Sequence, residues 1–181
     1  MTTQDALFDP EPPRYCIDTN VVLSFLKGTD DEHYGADVFA PQWAVIERLI
    51  LSGVIVAPRR VEDELSKWEK SVPAMGSWLK ERSHMFREVA TEAQLLSAKQ
   101  IVGVYPAYGE TMNYLGDLEV MTLAEALGLA VISLESESPG SISKKRPKIP
   151  NVCKEFGIDC VSVAGFLRRE AGRPVSSAVP D

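Results

Sequence analysis

Nothing in this sequence approaches the roughly 20 consecutive apolar residues that a membrane-spanning helix needs, and residues 1–14 are acidic and proline-rich where a signal peptide would be basic and then apolar. No membrane association and a cytoplasmic location are therefore expected. Cysteine is scarce: Cys16, Cys153 and Cys160 are odd in number and lack a C-x-x-C spacing, which argues against both a disulfide framework and structural zinc. Reduced, mostly buried thiols are the expectation. The two histidines, His33 and His84, are isolated, and neither an H-E-x-x-H motif nor a glycine-rich phosphate loop occurs. Ser141-x-x-Lys144 has the spacing of a serine acylase motif, but it falls in a polar loop where that motif would open a helix. Positive charge is also short. With 19 Lys and Arg against 26 Asp and Glu, the net charge of −7 is wrong for a protein that coats nucleic acid non-specifically through phosphate contacts.

What is present suits one globular domain: 181 residues, 45% of them hydrophobic, with no internal repeat. The expected organisation is a flexible lead-in over 1–13, a single domain over 14–171 and a loose tail over 172–181.

Short apolar runs alternate with helical periods in the rhythm of a parallel α/β sheet. Tyr15 to Ile17 reads as a strand, followed by a helix from Asn20 to about Lys27 that Gly28 stops, and a polar loop with His33 and Tyr34. Pro41 opens a helix with Trp43, Ile46, Leu49 and Ile50 on one face, closed by Gly53, and Val54 to Ala57 follows as a buried strand. Val61, Leu65 and Trp68 then recur at i, i+4 and i+7. Residues 72–86 read as irregular helix with Trp78, Leu79, Met85 and Phe86 buried; Thr91-x-x-Gln94 is a capping box for a helix whose apolar side is Leu95, Ala98, Val102 and Tyr105. That helical pair is expected as an insertion over one side of the sheet. A loop over 106–113 leads to a helix from Gly116-Asp117, with Val120, Met121, Ala124 and Leu127 inward and Gly128 at its end. A strand over 130–134, a loop over 138–150, a helix over 152–156, a strand over 159–163 and a helix over 164–171 complete the expectation.

Acids fall at the junctions. Asp18 stands where the first strand hands over to its helix, Glu64 near the start of a helix after the second strand, Asp117 at a helix start, and Glu135 directly after a strand. Each has an ordinary reading taken singly: Asp18 as part of a helix cap, Glu64 as a surface acid beside Glu62 and Asp63, Asp117 as a favourable charge on a helix dipole. Together they are expected on one rim of the sheet, the carboxyl ends of its strands, where α/β folds form ligand crevices. Carboxylates gathered there repel one another unless cations neutralise them. Oxygen donors without His or Cys favour Mg²⁺ or Mn²⁺ over zinc, and metal held at a rim suits attack on a phosphodiester. Lys144, Lys145, Arg146 and Lys148 form the single concentrated basic stretch, read either as a solvated charge run or as a strip for a phosphate backbone. Tyr105, Tyr108 and Tyr114, near the third acid, can stack on bases, although packing is the simpler account.

Tyr15-Cys16-Ile17-Asp18-Thr19-Asn20 resembles the opening signature of the PIN-domain nucleases, and Val61-Glu62-Asp63-Glu64-Leu65 resembles their second acidic block. Gly116-Asp117 followed by Ala124, and Gly128 to Glu135, resemble the third and fourth, so the likeness spans nearly the whole chain. The closing Lys148 to Cys153 with Phe156-Gly157-Ile158 is similar to a bacterial PIN-like subgroup catalogued without an assigned function. The resemblance implies a three-layer α/β/α sandwich with a central, mostly parallel sheet. It also implies metal-dependent endoribonuclease activity, commonly as the toxin of a toxin–antitoxin pair, with RNA substrate, a protein antitoxin and a homodimer as partners. Metal binding would fall to Asp18, Glu64 and Asp117, with Glu135 as fourth acid and Glu137 as its substitute, since many members carry Asp at that place. Asn20 and Ser133 would orient the acids. Two other readings compete: a PIN-like fold that has lost catalysis and serves as a binding module, and a phosphatase with Asp18 as nucleophile. The latter generally needs a second Asp two residues on, where this chain has Asn20.

Overall fold

The computed structural model describes residues 11–30, 32–88, 91–139, 144–145 and 147–173. Expectations for residues 1–10 and 174–181 of the termini, for Ser141 and for Arg146 lie outside the described residues.

Five parallel strands form one sheet in the order β3-β2-β1-β4-β5: β1 Tyr15–Ile17, β2 Ile55–Pro58, β3 Phe86–Arg87, β4 Ala130–Ser133 and β5 Cys160–Ser162. Helices cover it on both sides as a three-layer α/β/α sandwich. β1 lies in the middle, with Tyr15 and Cys16 registered against Ile55 and Val56 of β2, and Tyr15 to Ile17 against Ala130 to Ile132 of β4. Burial on both faces explains why β1, β2 and β4 read as continuous apolar runs without alternation. The helices are α1 Thr19–Lys27, α2 Ala40–Leu51, α3 Arg59–Ser66, α4 Met75–Glu81, α5 Glu92–Val104, α6 Ala107–Glu110, α7 Leu115–Leu127, α8 Ile149–Phe156 and α9 Val163–Ala171. α7 runs against β1, β2 and β4, with α5 packed on it, while α2 lies on β2 and α9 on β4 and β5. Gly28, Gly128 and Gly157 end α1, α7 and α8 in the left-handed region, which glycine enters without a Cβ penalty.

Several boundaries and faces differ from the sequence expectation. The segment 72–86 is not simply a helical insertion, because after α4 and a 3₁₀ turn Phe86 and Arg87 pair with Ala57 and Pro58 and extend the sheet. A two-residue strand has no period of its own, and its neighbour β2 decides it. The loop over 106–113 contains α6 and a 3₁₀ turn at Met112–Tyr114. α5 carries the expected capping box at Thr91, but its buried side is Gln94, Ser97 and Ile101, and Leu95 is 61% exposed. Hydroxyl and amide bury there because they find partners: Ser97 donates to Glu125 of α7. Leu127, expected inward, is about half exposed at the last turn of α7. Trp68 lies beyond the end of α3 and only half enters the core, unlike Val61 and Leu65. Trp43 stacks on Phe25 and Trp78 within the core cluster. Cys16 and Cys153 are buried and all three thiols are free. Among the described residues no helix is long and apolar enough to cross a membrane.

The amino ends of the strands are closed by polar chemistry. Glu170 of α9, its side chain almost buried, accepts from the Tyr15 hydroxyl at 2.7 Å and the Arg14 guanidinium at 3.2 Å, and pairs with Arg173. Removing it strands a buried phenol, while Arg14 keeps its 2.6 Å pair with Glu11. Glu170→Ala is expected to lower the unfolding free energy by about 2–3 kcal/mol, against about 1 kcal/mol for Tyr15→Phe, in urea titrations followed by circular dichroism.

Candidate functional site

Parallel strands deliver their carboxyl ends to one edge, and the acids stand there. Asp18 follows β1 and takes the N-cap position of α1 with extended backbone, yet its side chain makes no capping bond. The capping explanation of this residue therefore fails. Asp18 is 2% exposed, and the hydrogen bond its carboxylate accepts from Asn20 Nδ2 is long at 3.4 Å. No ion pair reaches it among the described residues. Burial first, then the charges of Glu135 and Glu64, push its carboxyl up to about 7, against the pull of the Asn20 and Thr19 hydrogen bonds. Asp117, in the first turn of α7, is driven up to about 8 by burial and then by Asp18, Glu135 and Glu64. The four acids expected on one rim thus sense one another.

Two of the four are held by the protein itself. Glu64 Oε2 accepts from the Thr19 hydroxyl at 2.6 Å, and its Oε1 lies 3.8 Å from Arg60 Nε. Gly116 makes that placement possible, because a Cβ there would stand 2.3 Å from Glu64 Oε1. Glu135 Oε2 accepts the Ile149 amide at 2.7 Å, satisfying one of the free N–H groups at the start of α8. Its own amide donates to Ser133 Oγ at 3.1 Å. So Ser133 orients the segment that carries Glu135. Glu137 does not share the site: it is exposed and ion-paired with Lys154. Glu135 alone of the two bears on Asp18 and Asp117.

Among the described residues no three carboxylates, histidines or cysteines are close enough to hold one metal ion as they stand. The donor chemistry nonetheless fits a hard divalent cation, being carboxylate oxygen only, with Asp18 buried and Asp117 partly buried and neither neutralised by any described residue. A further group points the same way. Tyr108 of α6 is 2% exposed, and its hydroxyl has no hydrogen-bond partner among the described residues. Burial, then the nearby charges of Asp117 and Glu135, push its phenol well above the usual range. Tyr105, Tyr108 and Tyr114 otherwise meet edge to face, at 6.4 Å and 5.8 Å, as packing rings.

Of the basic strip, Lys144 and Lys145 are exposed in a turn and Lys148 is partly buried as the N-cap residue of α8. Asn151 ties α8 to the segment after β4: its side chain accepts from the Ser138 amide at 3.1 Å and donates to the Ser138 carbonyl at 3.2 Å. Sequence reasoning misses Thr19, Gly116, Asn151 and the Tyr108 hydroxyl as parts of the site. Thr19 lies inside the Asp-Thr-Asn triplet, and a buried amide in the closing motif is the signal for Asn151; the Tyr108 hydroxyl has none.

A family profile matches residues 15–173, from the first residue of β1 to just beyond α9. The chain belongs to the DUF4411 family, described as a domain of unknown function. All four acids of this DUF4411 chain lie inside the match. No curated protein matches it.

Burial of these acids, and then their mutual repulsion, has a measurable cost. Both Asp18 and Asp117 have folded values above the roughly 3.9 of an unfolded aspartate. The folded chain therefore binds more protons than the unfolded one between about pH 4 and 8, and stability contributed by these groups is lost as pH rises through that window. In EDTA at pH 8, Asp117→Asn is expected to stabilise the protein by about 1–3 kcal/mol, with the gain shrinking towards pH 4. Thermal melts across that range check it.

Proposed function

We propose that this chain is a divalent-metal-dependent endoribonuclease of the PIN-like type. The observation that carries the reading is a set of carboxylates from four separate elements at the carboxyl edge of a parallel sheet, of which Asp18 is buried without a cation among the described residues. A protein retains such repulsion against stability where a ligand relieves it. Asp18 and Asp117 would hold Mg²⁺ or Mn²⁺, with Glu64 and Glu135 as further carboxylate donors. When bound, the ion supplies charge neutralisation and activation of water for attack on a phosphodiester.

The remaining roles fall to the chain itself. Thr19 and the Ile149 amide hold Glu64 and Glu135 in reserve at the rim. Asn20 orients the Asp18 carboxylate. The charges of Asp117 and Glu135 act on the Tyr108 phenol, whose hydroxyl would be available as a donor within the site. Lys144 and Lys145 offer positive charge in an exposed turn after β4, suited to a phosphate backbone that passes over the acids. A single-stranded substrate fits an open rim better than a duplex does, because its phosphates can bend inward. The toxin role, a protein antitoxin, a homodimer and a cytoplasmic location rest on the resemblance to the PIN-domain nucleases.

One observation favours a second reading. Among the described residues the acids do not close on a single point, as expected of a PIN-like fold that binds RNA or protein without cutting. Activity separates the two.

Metal-stripped wild-type protein is expected to leave a mixed RNA pool intact and to cut it when Mn²⁺ or Mg²⁺ is returned, while Asp18→Asn and Asp117→Asn fold normally and lose cleavage by at least about 100-fold. Equal rates for wild type and Asp18→Asn would remove the assignment, and metal binding without cleavage would favour the binding module. Independently, replacing Lys144 and Lys145 by Glu should weaken RNA binding and reduce the slope of log K against log salt by about 0.7 for each phosphate that is no longer neutralised. A salt slope equal to that of wild type would take this turn out of the substrate path.

A further inference from the structure

The acids do not stand on a flat rim. Beside them opens a cleft of about 350 Å³, lined in part by Asn20, Leu23 and Lys27 of α1, Trp68 beyond α3, Leu134 after β4, and Glu135. Its volume lies at the small end of the range of ligand sites, about 300–1,000 Å³. Asn20, Leu23 and Lys27 follow one another along a single helix face at steps of three and four, so the cleft runs from the acids towards the C-terminal end of α1. Asn20 and Glu135 belong to both places: Asn20 donates to Asp18, and the charge of Glu135 bears on the Asp18 carboxyl. A chain laid across the acids therefore has its next unit at the mouth of this cleft.

The lining is mixed in a particular way. Leu23 and Leu134 are apolar, Trp68 offers a half-buried ring, and the Lys27 ammonium stands 4.7 Å from the centroid of that ring. The other two tryptophans are committed elsewhere, stacked on each other, with Trp78 bonded to Glu47. Trp68 is the exception among them, sited where the buried stripe of α3 ends and the cleft begins. Core packing alone does not account for an ammonium held over a ring at the edge of an acid cluster. Glu32 keeps Lys27 there, accepting from it at 2.5 Å, and His33 adds an exposed imidazole to the same wall. A flat aromatic ring, an apolar floor, an ammonium and polar edges match a nucleotide, which combines a planar base, hydrogen-bonding edges and an anionic phosphate. A purely apolar ligand would leave Lys27 and Asn20 without use. A carboxylate ligand would leave the ring without use.

We propose that this cleft is a nucleotide subsite, in which the base flanking the cut phosphate stacks on Trp68 and its phosphate takes the Lys27 ammonium from Glu32. The subsite rests on the nuclease reading above and gives that site its grip on substrate. Stacking recognises any base by its face, so the subsite supplies affinity with little sequence preference of its own. Glu32 acts as a built-in competitor for the phosphate, because it carries negative charge to the same ammonium.

The test is calorimetric titration of the full chain, in EDTA so that no metal ion bridges phosphate to the acids, with the 5′-monophosphates of adenosine, guanosine, cytidine and uridine. Wild type is expected to bind with millimolar affinity, Trp68→Leu about 5- to 150-fold more weakly, the range given by loss of one base–aromatic stack, and Glu32→Gln several-fold more tightly. Glu32 lies in a loop outside the core, so Glu32→Gln keeps the test open even if the tryptophan variant fails to fold. No saturable binding by wild type, Trp68→Leu binding as wild type does, or Glu32→Gln leaving affinity unchanged each overturns the proposal. The two readings fail separately. RNA cleavage by wild type together with unaltered nucleotide binding by Trp68→Leu removes the subsite and leaves the nuclease. Nucleotide binding that depends on Trp68 in a protein that cuts no RNA under any metal removes the nuclease and leaves a nucleotide site.

Discussion

Parallel pairing of β1 with β2 on one side and β4 on the other is the constraint from which the site follows. Because the three strands point the same way, whatever follows each of them emerges at one edge. Asp18 follows β1, the helix bearing Glu64 follows β2, and Glu135 comes two residues after β4. α7, which runs against all three strands, brings Asp117 to the same edge with its first turn. Polar backbone groups compel this arrangement as much as apolar burial does. The Asp18 amide donates to the Ile132 carbonyl at 3.1 Å, so the residue that carries the first acid is itself still tied to the β4 ladder.

The two ends of the sheet treat charge in opposite ways. At the amino ends, Arg14, Tyr15, Glu170 and Arg173 form a closed set in which a nearly buried carboxylate has cations and a phenol as partners. At the carboxyl ends, Asp18 and Asp117 have no cation among the described residues, and the Tyr108 hydroxyl has no partner among them. Folding alone favours the first pattern, since a buried charge is tolerable only when paired. The contrast within one sheet separates a paired, structural carboxylate from acids that no described cation neutralises. Glu64 and Glu135 stand between these extremes. Each has found a neutral partner, a threonine hydroxyl for Glu64 and a helix-terminal amide for Glu135, and Glu64 has the Arg60 guanidinium at 3.8 Å as well.

Much of the fold was legible in the chain. The runs at 15–17, 54–57 and 130–134 are strands within a residue or so, and the glycines at 28, 128 and 157 end helices as their conformational freedom suggests. What was illegible had a common cause. Phe86-Arg87 is a strand because β2 offers it an edge, and α5 buries Gln94 and Ser97 in place of Leu95 because Glu125 offers Ser97 a partner. Neither neighbour is visible in the local period. The short α6 is hidden for the same reason.

For the site, the sequence by itself determined that Asp18, Asp117 and Glu135 stand at strand and helix boundaries, and the parallel rhythm of the chain determined that the strand ends share an edge; Glu64, expected near the start of its helix, is the sixth of the eight residues of α3. It could not distinguish Asp18 the cap from Asp18 the free acid, since the two differ in the direction of one side chain. Nor could it choose between Glu135 and Glu137, two residues apart in an irregular segment. The tertiary structure decided both: α1 leaves the Asp18 carboxylate without a capping bond, and α8 presents an amide to Glu135 and Lys154 to Glu137. Tyr108 and the Trp68 cleft belong wholly to the fold, because a hydroxyl without a partner among the described residues and a half-covered ring are properties of packing between elements distant in the chain.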